Sequence, residues 1–269
     1  MKKPLFLSSS FMPMKGDARL DNVGNVDEAR GLFLNSRHGN LDYLLKKRYC
    51  WMNEFISQSQ LGFEIGSGAG LSKFYIDNKN LILTDYSDCS WLDQKVDALN
   101  LPYADSSYDF IIESNVLHHL AFPSKFFSEA YRVLKPGGVI LIQDVWGSFL
   151  LRALLRIFKT EGYSYSVDVY SKSTSSCDEL NLWAGNNVIP NILFEDIDRL
   201  ERETGFQLAK FEFSECFIFP LSGGVTSKIS VPEIPVFFLN LVDLIDKVLV
   251  KVAPNIFALQ VKAVLRKPH

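Results

Sequence analysis

A chain of 269 residues with 47% hydrophobic and 22% charged residues can bury a sizeable core as one large domain, which excludes a disordered or fibrous protein. A net charge of −3 leaves no basic footprint for nucleic acid, so no nucleic-acid partner is expected. Cys50, Cys89, Cys177 and Cys216 lie far apart with no C-x-x-C spacing, and the four histidines form no zinc-like pattern with them. Reduced thiols in a cytoplasmic protein are expected, with neither a disulfide framework nor a metal site.

The N-terminal segment Met1–Phe11 carries two lysines and a short apolar run that proline and serines interrupt, so it is not read as a signal peptide. No run reaches the roughly 18 apolar residues of a spanning helix. Residues 12–27 read as loop. Leu41, Leu44, Leu45, Met52, Phe55 and Ile56 recur at helical spacing over 41–56. Residues 1–60 are therefore expected to form an N-terminal helical lid or brace, with the main domain over 61–269.

From Leu61 a strand–helix rhythm begins. Residues 61–65 read as a short buried strand, 66–70 as a tight glycine turn and 71–76 as the start of a helix. Strands are expected at 81–84, ending at Asp85, then at 96–98 and at 108–113. Ser124 is placed to cap a helix whose apolar positions Phe126, Phe127, Ala130 and Val133 share one face. Residues 135–138, Lys-Pro-Gly-Gly, read as its terminating turn, and 139–143 as the fifth strand. A helical stretch at 146–159 and a Ser/Thr/Asn-rich loop at 170–187 form one expected insertion, over about 145–195. A helix at 195–204, ended by Gly205, leads to alternating segments at 207–213 and 256–266, the last two strands. Between them a second insertion spans 217–254, with a turn at 220–224 and a helix at 235–252. The rhythm predicts an α/β fold, a Rossmann-like and mostly parallel sheet with helices on both faces and helical insertions after strands 5 and 6.

The strongest local signal is the run Phe63-Glu64-Ile65-Gly66-Ser67-Gly68-Ala69-Gly70. Glycines between a strand and a helix let a ligand approach the backbone, and a helix N-terminus adds aligned N–H donors. Asp85 closes the next strand, where a carboxylate can accept from two ribose hydroxyls. These features suit a nicotinamide cofactor nearly as well, although Leu71 stands where the dinucleotide fingerprint has its third glycine.

The next segments separate the two. Residues 97–109 (DALNLPYADSSYD), Leu117-His118-His119-Leu120 and residues 132–138 (RVLKPGG) follow the glycine run in an order that resembles class I S-adenosylmethionine-dependent methyltransferases. The resemblance covers 63–144. It implies a seven-stranded sheet whose last strand is antiparallel, with S-adenosylmethionine as cofactor. It also implies that Glu64, Ile65, Gly66, Ser67 and Gly68 surround the methionine part and that Asp85, followed by Tyr86, holds the ribose. Asp97 and the Ala98 backbone would meet the adenine, and Ser114 and Asn115 would border the sulfonium. The plainer reading of Asp97 is a loop cap.

His118 and His119 follow the fourth strand at the sheet's carboxyl edge, and either could serve as a base near neutral pH. The alternative is that the pair packs the cofactor pocket or caps the following segment. A looser resemblance links the chain to bacterial methyltransferases of cell-envelope polysaccharide synthesis. It rests on Asn40-Leu41, Arg48-Tyr49, Trp51-Met52, Trp91-Leu92-Asp93, Glu161-Gly162, Gly185-Asn186, Pro190, Phe194 and the run at 221–224 (LSGG). It implies Glu161 as a second candidate base and Asn186 and Asn187 as acceptor contacts; ordinary loop and capping roles are the alternative.

The expected helix at 146–159 carries Ser148, Arg152, Arg156 and Lys159 on a narrow stripe, which fits an interfacial helix. The helix at 235–252 carries Asn240, Asp243, Asp246, Lys247 and Lys251 on one face and leaves a wide apolar side. That side needs a cover: the rest of the domain, a second copy in a homodimer, or a membrane surface. The expected activity is methyl transfer to a small-molecule or glycan acceptor, a sugar hydroxyl of an envelope polysaccharide precursor. Methylation of a quinone or lipid ring, and a non-catalytic cofactor-binding partner subunit, are the competing readings.

Overall fold

The computed structural model describes residues 8–13, 24–181, 183–226 and 231–269. Residues 14–23 of the expected N-terminal loop lie outside them. The strands are β1 (Ser10–Phe11), β2 (Gly62–Ile65), β3 (Leu81–Asp85), β4 (Gln94–Lys95), β5 (Tyr108–Ser114), β6 (Leu134–Val145), β7 (Tyr163–Ser164), β8 (Gln207–Ser214) and β9 (Gln260–Arg266). The helices are α1 (Val26–Ser36), α2 (Gly39–Tyr49), α3 (Pro123–Val133), α4 (Phe149–Phe158), α5 (Ile189–Phe194), α6 (Ile197–Thr204), α7 (Ile218–Leu221), α8 (Val236–Val252) and α9 (Pro254–Phe257).

Seven strands form one sheet in the order β4-β3-β2-β5-β6-β9-β8. β2 to β6 pair in parallel, and β9 runs antiparallel between β6 and β8. The expected seven-stranded α/β sheet with an antiparallel last strand is therefore present. Its register separates two apolar rows. Phe63, Ile111, Ile140 and Leu265 are neighbours across the sheet and face Phe126, Phe127, Ala130 and Val133 of α3 and Leu200 of α6. Leu83, Ile112, Leu141 and Val264 occupy the opposite face, under Phe33 of α1 and Leu45 and Tyr49 of α2. Each fully buried Val, Leu, Ile or Phe among them contributes about 1.5–3 kcal/mol. Parallel strands covered on both faces carry near-continuous apolar runs, which is why β5 and β6 were legible.

Several local expectations are corrected. The helix expected after the glycine turn is a single 3-10 turn, Leu71–Phe74, so no long helix points its N-terminus at the turn. The N-terminal helix divides into α1, α2 and a 3-10 segment, Cys50–Glu54; α1, capped by Asn25, covers part of what read as loop. The third strand sits at Gln94–Lys95 rather than 96–98, because its partner row ends at Asp85. Ser124 does not cap α3. The helix opens on Pro123, and the Ser124 hydroxyl donates to the Ser171 carbonyl. Lys135–Gly138 lies within β6 and is no free turn: Gly137 N–H donates to the Lys267 carbonyl and Lys267 N–H to that of Gly138. Residues 195–204 hold α6, capped by Asp196 and ended by Gly205 at φ 77°, with α5 before it. Residues 256 and 257 belong to α9, and the last strand starts at Gln260.

The largest reversal concerns α8. Its polar positions Asp243 and Asp246 are buried, and its apolar side is exposed. On α4, the basic stripe turns onto the chain's own aromatic rings: Arg156 Nε donates to the Tyr163 hydroxyl, and Arg152 lies over Tyr163 and Tyr165.

Candidate active site

The carboxyl ends of β2, β3, β5 and β6 share one edge of the sheet, and the site is built there. At the end of β2 the chain reverses through Gly66, Gly68 and Gly70, all in the left-handed region. Glycine is required at Gly66 for a second reason, since a Cβ there would come within 2.4 Å of Val116. A Cβ on Gly68 would meet nothing closer than Val26 at 3.8 Å, so the backbone there has open space above it.

The turn is fastened to β3. Gly68 N–H donates to Asp85 Oδ2 at 2.9 Å, and Ser67 N–H donates to the Thr84 carbonyl at 2.9 Å. Asp85 Oδ1 accepts from Ser87 N–H, so backbone donors fix the carboxylate at the strand's end. From the other side, Arg30 of α1 donates to the Ala69 carbonyl and Trp91 Nε1 to that of Gly68; Arg30 also lies over the Trp91 ring. Neither clamp follows from local sequence, because each partner comes from a distant segment.

Glu64 sits beneath the turn. The register places it between Leu83 and Ile112, on the face covered by α2, and leaves it buried. Its carboxylate accepts from the Ser72 hydroxyl and interacts with Tyr49. Burial outweighs these bonds and pushes its pKa up to about 7. Ile65 is buried in the core beside it. Asp97 is exposed, and its Oδ1 accepts from Leu99 N–H, so it also has the loop-capping role. Ala98 packs against the core, and Tyr86 is exposed with Lys95 near its ring. Asn115, at φ 59°, hydrogen-bonds through its backbone to Gln143 and accepts from Gln260 on β9. Ser114 precedes it on β5.

A second cluster adjoins this edge. After β5 the chain makes a 3-10 turn, Leu117–His119, that turns both imidazoles toward the end of β6. His118 is buried, and its Nδ1 lies 2.5 Å from Asp144 Oδ1. Burial opposes a charge on His118, but the buried Asp144 carboxylate and Glu161 together hold its pKa above the ordinary value. His119 lies against His118 with ring centroids 4.1 Å apart and the planes tilted by 41°. Burial, reinforced by that neighbour, lowers its pKa to about 4, and its Nδ1 has no hydrogen-bond partner. Glu161 reaches in from the first insertion, with Oε2 3.7 Å from His118 Nε2 and Oε1 3.9 Å from His119 Nε2. One ligand-capable atom from each of the three lies within 4.8 Å of the others, so the cluster is also compact enough for a cation.

The structure thus brings His118, His119 and Glu161 together although Glu161 is remote in sequence. Gly185 makes room for them: a Cβ there would fall 2.7 Å from His118 and 2.9 Å from Glu161. The two asparagines differ in what they bond. Asn187 Nδ2 donates to Glu161 Oε2 at 2.7 Å and to the Gly162 carbonyl, so it aims the carboxylate. Asn186 is fully buried, accepts from Ser164 N–H and donates to the Ser164 and Ser176 carbonyls. Its amide is spent on the backbone at Ser164 and Ser176, the loop and capping role that the sequence also left open.

Two carboxylates escaped sequence reasoning. Asp144 read as the residue after an apolar strand, and Glu113 as the last residue of another. Both are fully buried. Glu113 Oε1 accepts from Val116 and Leu117 N–H, yet burial and the nearby Asp144 charge raise its pKa well above the usual range. Asp144 keeps the charge of the pair: burial opposes this, but His118 lowers its pKa.

Residues 63–142, less than a third of the chain, match the family described as a methyltransferase domain. A solved S-adenosylmethionine-dependent methyltransferase from Archaeoglobus fulgidus superposes with a TM-score of 0.51 at 19% identity, over 88% of this chain and 97% of that one. The chain has the fold of class I S-adenosylmethionine-dependent methyltransferases. The cofactor of that methyltransferase fold is S-adenosylmethionine. Curated relatives match over shorter stretches. A phthiotriol/phenolphthiotriol dimycocerosates methyltransferase of Mycobacterium ulcerans is 41% identical over 49 residues, 18% of each chain. A demethylmenaquinone methyltransferase of Renibacterium salmoninarum is 33% identical over 85 residues, 28% of this chain and 36% of that one. The chain therefore spans well under half the length of these relatives.

Proposed function

We propose that this chain is an S-adenosylmethionine-dependent methyltransferase whose acceptor is a sugar hydroxyl of a cell-envelope polysaccharide precursor. The observation that carries the reading is the Asp144–His118–Glu161 constellation at the sheet edge that also holds the glycine turn. When bound, S-adenosylmethionine supplies an electrophilic methyl group on a sulfonium.

The open backbone at Gly68 and the fixed carboxylate of Asp85 suit the cofactor. In this reading Asp85 accepts from the ribose hydroxyls, and Asp97 and Ala98 meet the adenine. Glu64, Ile65, Gly66, Ser67 and Gly68 shape the methionine end, and Ser114 and Asn115 border the reacting centre.

An aliphatic hydroxyl must lose its proton as its oxygen becomes a nucleophile, so a positioned base is required. Asp144 holds the Nδ1–H tautomer of His118, which leaves Nε2 free to accept that proton. The proton then rests between two carboxylates, on a nitrogen whose environment favours the charged form. Glu161, aimed by Asn187, receives it next or serves as the base itself. His119 stays neutral and packs the acceptor side of the cluster.

The names of the two relatives favour a second reading, in which the acceptor is a lipid or quinone ring. The test is incubation of the chain with methyl-labelled cofactor and three acceptor classes: a lipid-linked or nucleotide-linked sugar, a demethylated quinol and a hydroxylated lipid. Label on the sugar oxygen supports the proposal, and label only on a ring replaces it with the second reading. Cofactor binding without transfer to any acceptor supports a non-catalytic partner subunit instead.

A further inference from the structure

Helix α8 is amphipathic in the reverse sense. Among its 17 residues, Leu239, Asp243, Asp246 and Val250 are buried, whereas Val236, Phe237, Phe238, Leu241, Leu244, Ile245, Val248 and Val252 are exposed. Phe237 is 73% and Val252 78% exposed. Ile256, just past the helix, continues the exposed apolar set.

Specific bonds fix this orientation. Asp246 accepts from the backbone N–H groups of Cys216, Phe217 and Ile218, which follow the end of β8. Asp243 pairs with Lys47 of α2 and with Lys247 one turn along α8. Rolling the helix to hide its apolar side would strip three backbone donors and an ion pair of their partners. Both acids of α8 turn inward; Lys251 is exposed on its outer side, and Lys247 borders that side with its ammonium 3.0 Å from Asp243 Oδ2.

We infer that the outer face of α8 seats in the interfacial plane of an anionic lipid bilayer, its apolar side chains below the headgroups and Lys247 and Lys251 among them. The chemistry is complementary. Contiguous apolar surface of this kind on a protein marks an interaction site, and lysines bordering it match acidic headgroups. A second copy is the poorer match, because α8 offers its own lysines no outward carboxylate across a two-fold interface. The helix lies in the plane rather than across it: no helix among the described residues is long and apolar enough to span a membrane. Asp246 fastens α8 beside the end of β8, at the sheet edge that also carries Asp85 and Asp144, so a lipid-linked molecule at the bilayer lies on the site's side of the sheet. The surface itself stands independently of the proposed chemistry.

The experiment is co-sedimentation of the full chain with vesicles of equimolar phosphatidylglycerol and phosphatidylcholine, and with vesicles of phosphatidylcholine alone. Binding is expected to favour the anionic vesicles and to fall with salt. A Phe237→Ser/Leu241→Ser/Leu244→Ser variant is expected to lose at least about tenfold in partitioning. Lys251→Ala should lower anionic binding about fivefold while leaving phosphatidylcholine binding unchanged, and Lys247→Ala, which removes a cation already paired with Asp243, should lower it less. Circular dichroism and cofactor affinity are expected to stay unchanged in every variant, which separates loss of the surface from loss of the fold or of the cofactor site. The inference is overturned if wild-type chain stays in the supernatant with both vesicles. It is equally overturned if analytical ultracentrifugation shows a dimer that the triple serine variant dissolves and that vesicles do not.

Discussion

Asp144 and His118 come from different strand ends, yet the carboxylate oxygen lies 2.5 Å from the imidazole Nδ1, and both groups are buried. A second bond, from His118 N–H to Asp144 Oδ2 at 3.3 Å, ties the backbone of the histidine turn to the same carboxylate. The pair thus fixes both the position and the tautomer of the ring.

Asp144→Asn removes the charge that raises the His118 pKa and leaves the burial that lowers it. A base acts when neutral, so the acidic limb of kcat/KM should move to lower pH. Turnover should fall about a hundredfold or more, because a weaker and less oriented base remains. Cofactor affinity by calorimetry should not change. A limb that stays in place in the pH profile removes His118 from the proposed role.

His118→Ala and His119→Ala should behave differently although the residues are adjacent. His118 has Asp144 behind it and Glu161 before it. His119 is held neutral, with its pKa at about 4 and one nitrogen unpartnered. Turnover in His118→Ala should fall at least about a hundredfold. His119→Ala should stay within about tenfold of the parent, and steady-state kinetics on a common acceptor separates the two.

Asp85→Asn keeps the side-chain shape but weakens what the carboxylate accepts. A charge-assisted hydrogen bond contributes about 1.5–3 kcal/mol, so cofactor Kd should rise roughly tenfold to a hundredfold. The bond from Gly68 N–H can persist to the amide oxygen, so the turn should keep its shape. Calorimetry with S-adenosylhomocysteine checks this; an unchanged Kd would contradict the ribose assignment.

Glu64 makes stability depend on pH in a defined window. Its folded pKa is raised to about 7, so between the ordinary carboxylate range and pH 7 the unfolded chain has lost a proton that the folded chain keeps. The associated stability is fully present below the ordinary range and is lost as pH rises through about 7. The shift corresponds to about 3 kcal/mol. Glu64→Gln should flatten this part of the profile, measured by urea unfolding across that range. An identical slope in parent and variant would show that Glu64 is not the titrating group.

Arg48 and Glu215 form a two-pronged ion pair at 2.8 and 2.7 Å, with both side chains almost fully buried. Arg48→Met removes the cation and strands the carboxylate, which costs about 3–5 kcal/mol. The urea midpoint should fall accordingly without a change in slope. A midpoint within error of the parent would contradict the stabilising role of this pair.

By itself the sequence determined the elements whose residues carry their own environment. Apolar runs buried on both faces declared β2, β3, β5 and β6, and alternation declared β8 and the core of β9. Glycines at 66, 68 and 70 declared a turn only they can make, and the amphipathic spacing of α3 declared its buried face. Tertiary structure decided whatever depends on a partner remote in the chain. The helix expected after the glycine turn shrank to one 3-10 turn, and Arg30 and Trp91 clamp that turn from elsewhere. Glu161 meets the histidines only because the first insertion folds back over the sheet edge. Asp144 met His118 through packing, since nothing in an apolar strand marks its acid as the partner of a histidine. The α8 pattern gave two faces but not which one turns inward: that was set by three backbone N–H groups past β8, which need a carboxylate more than the core needs another leucine.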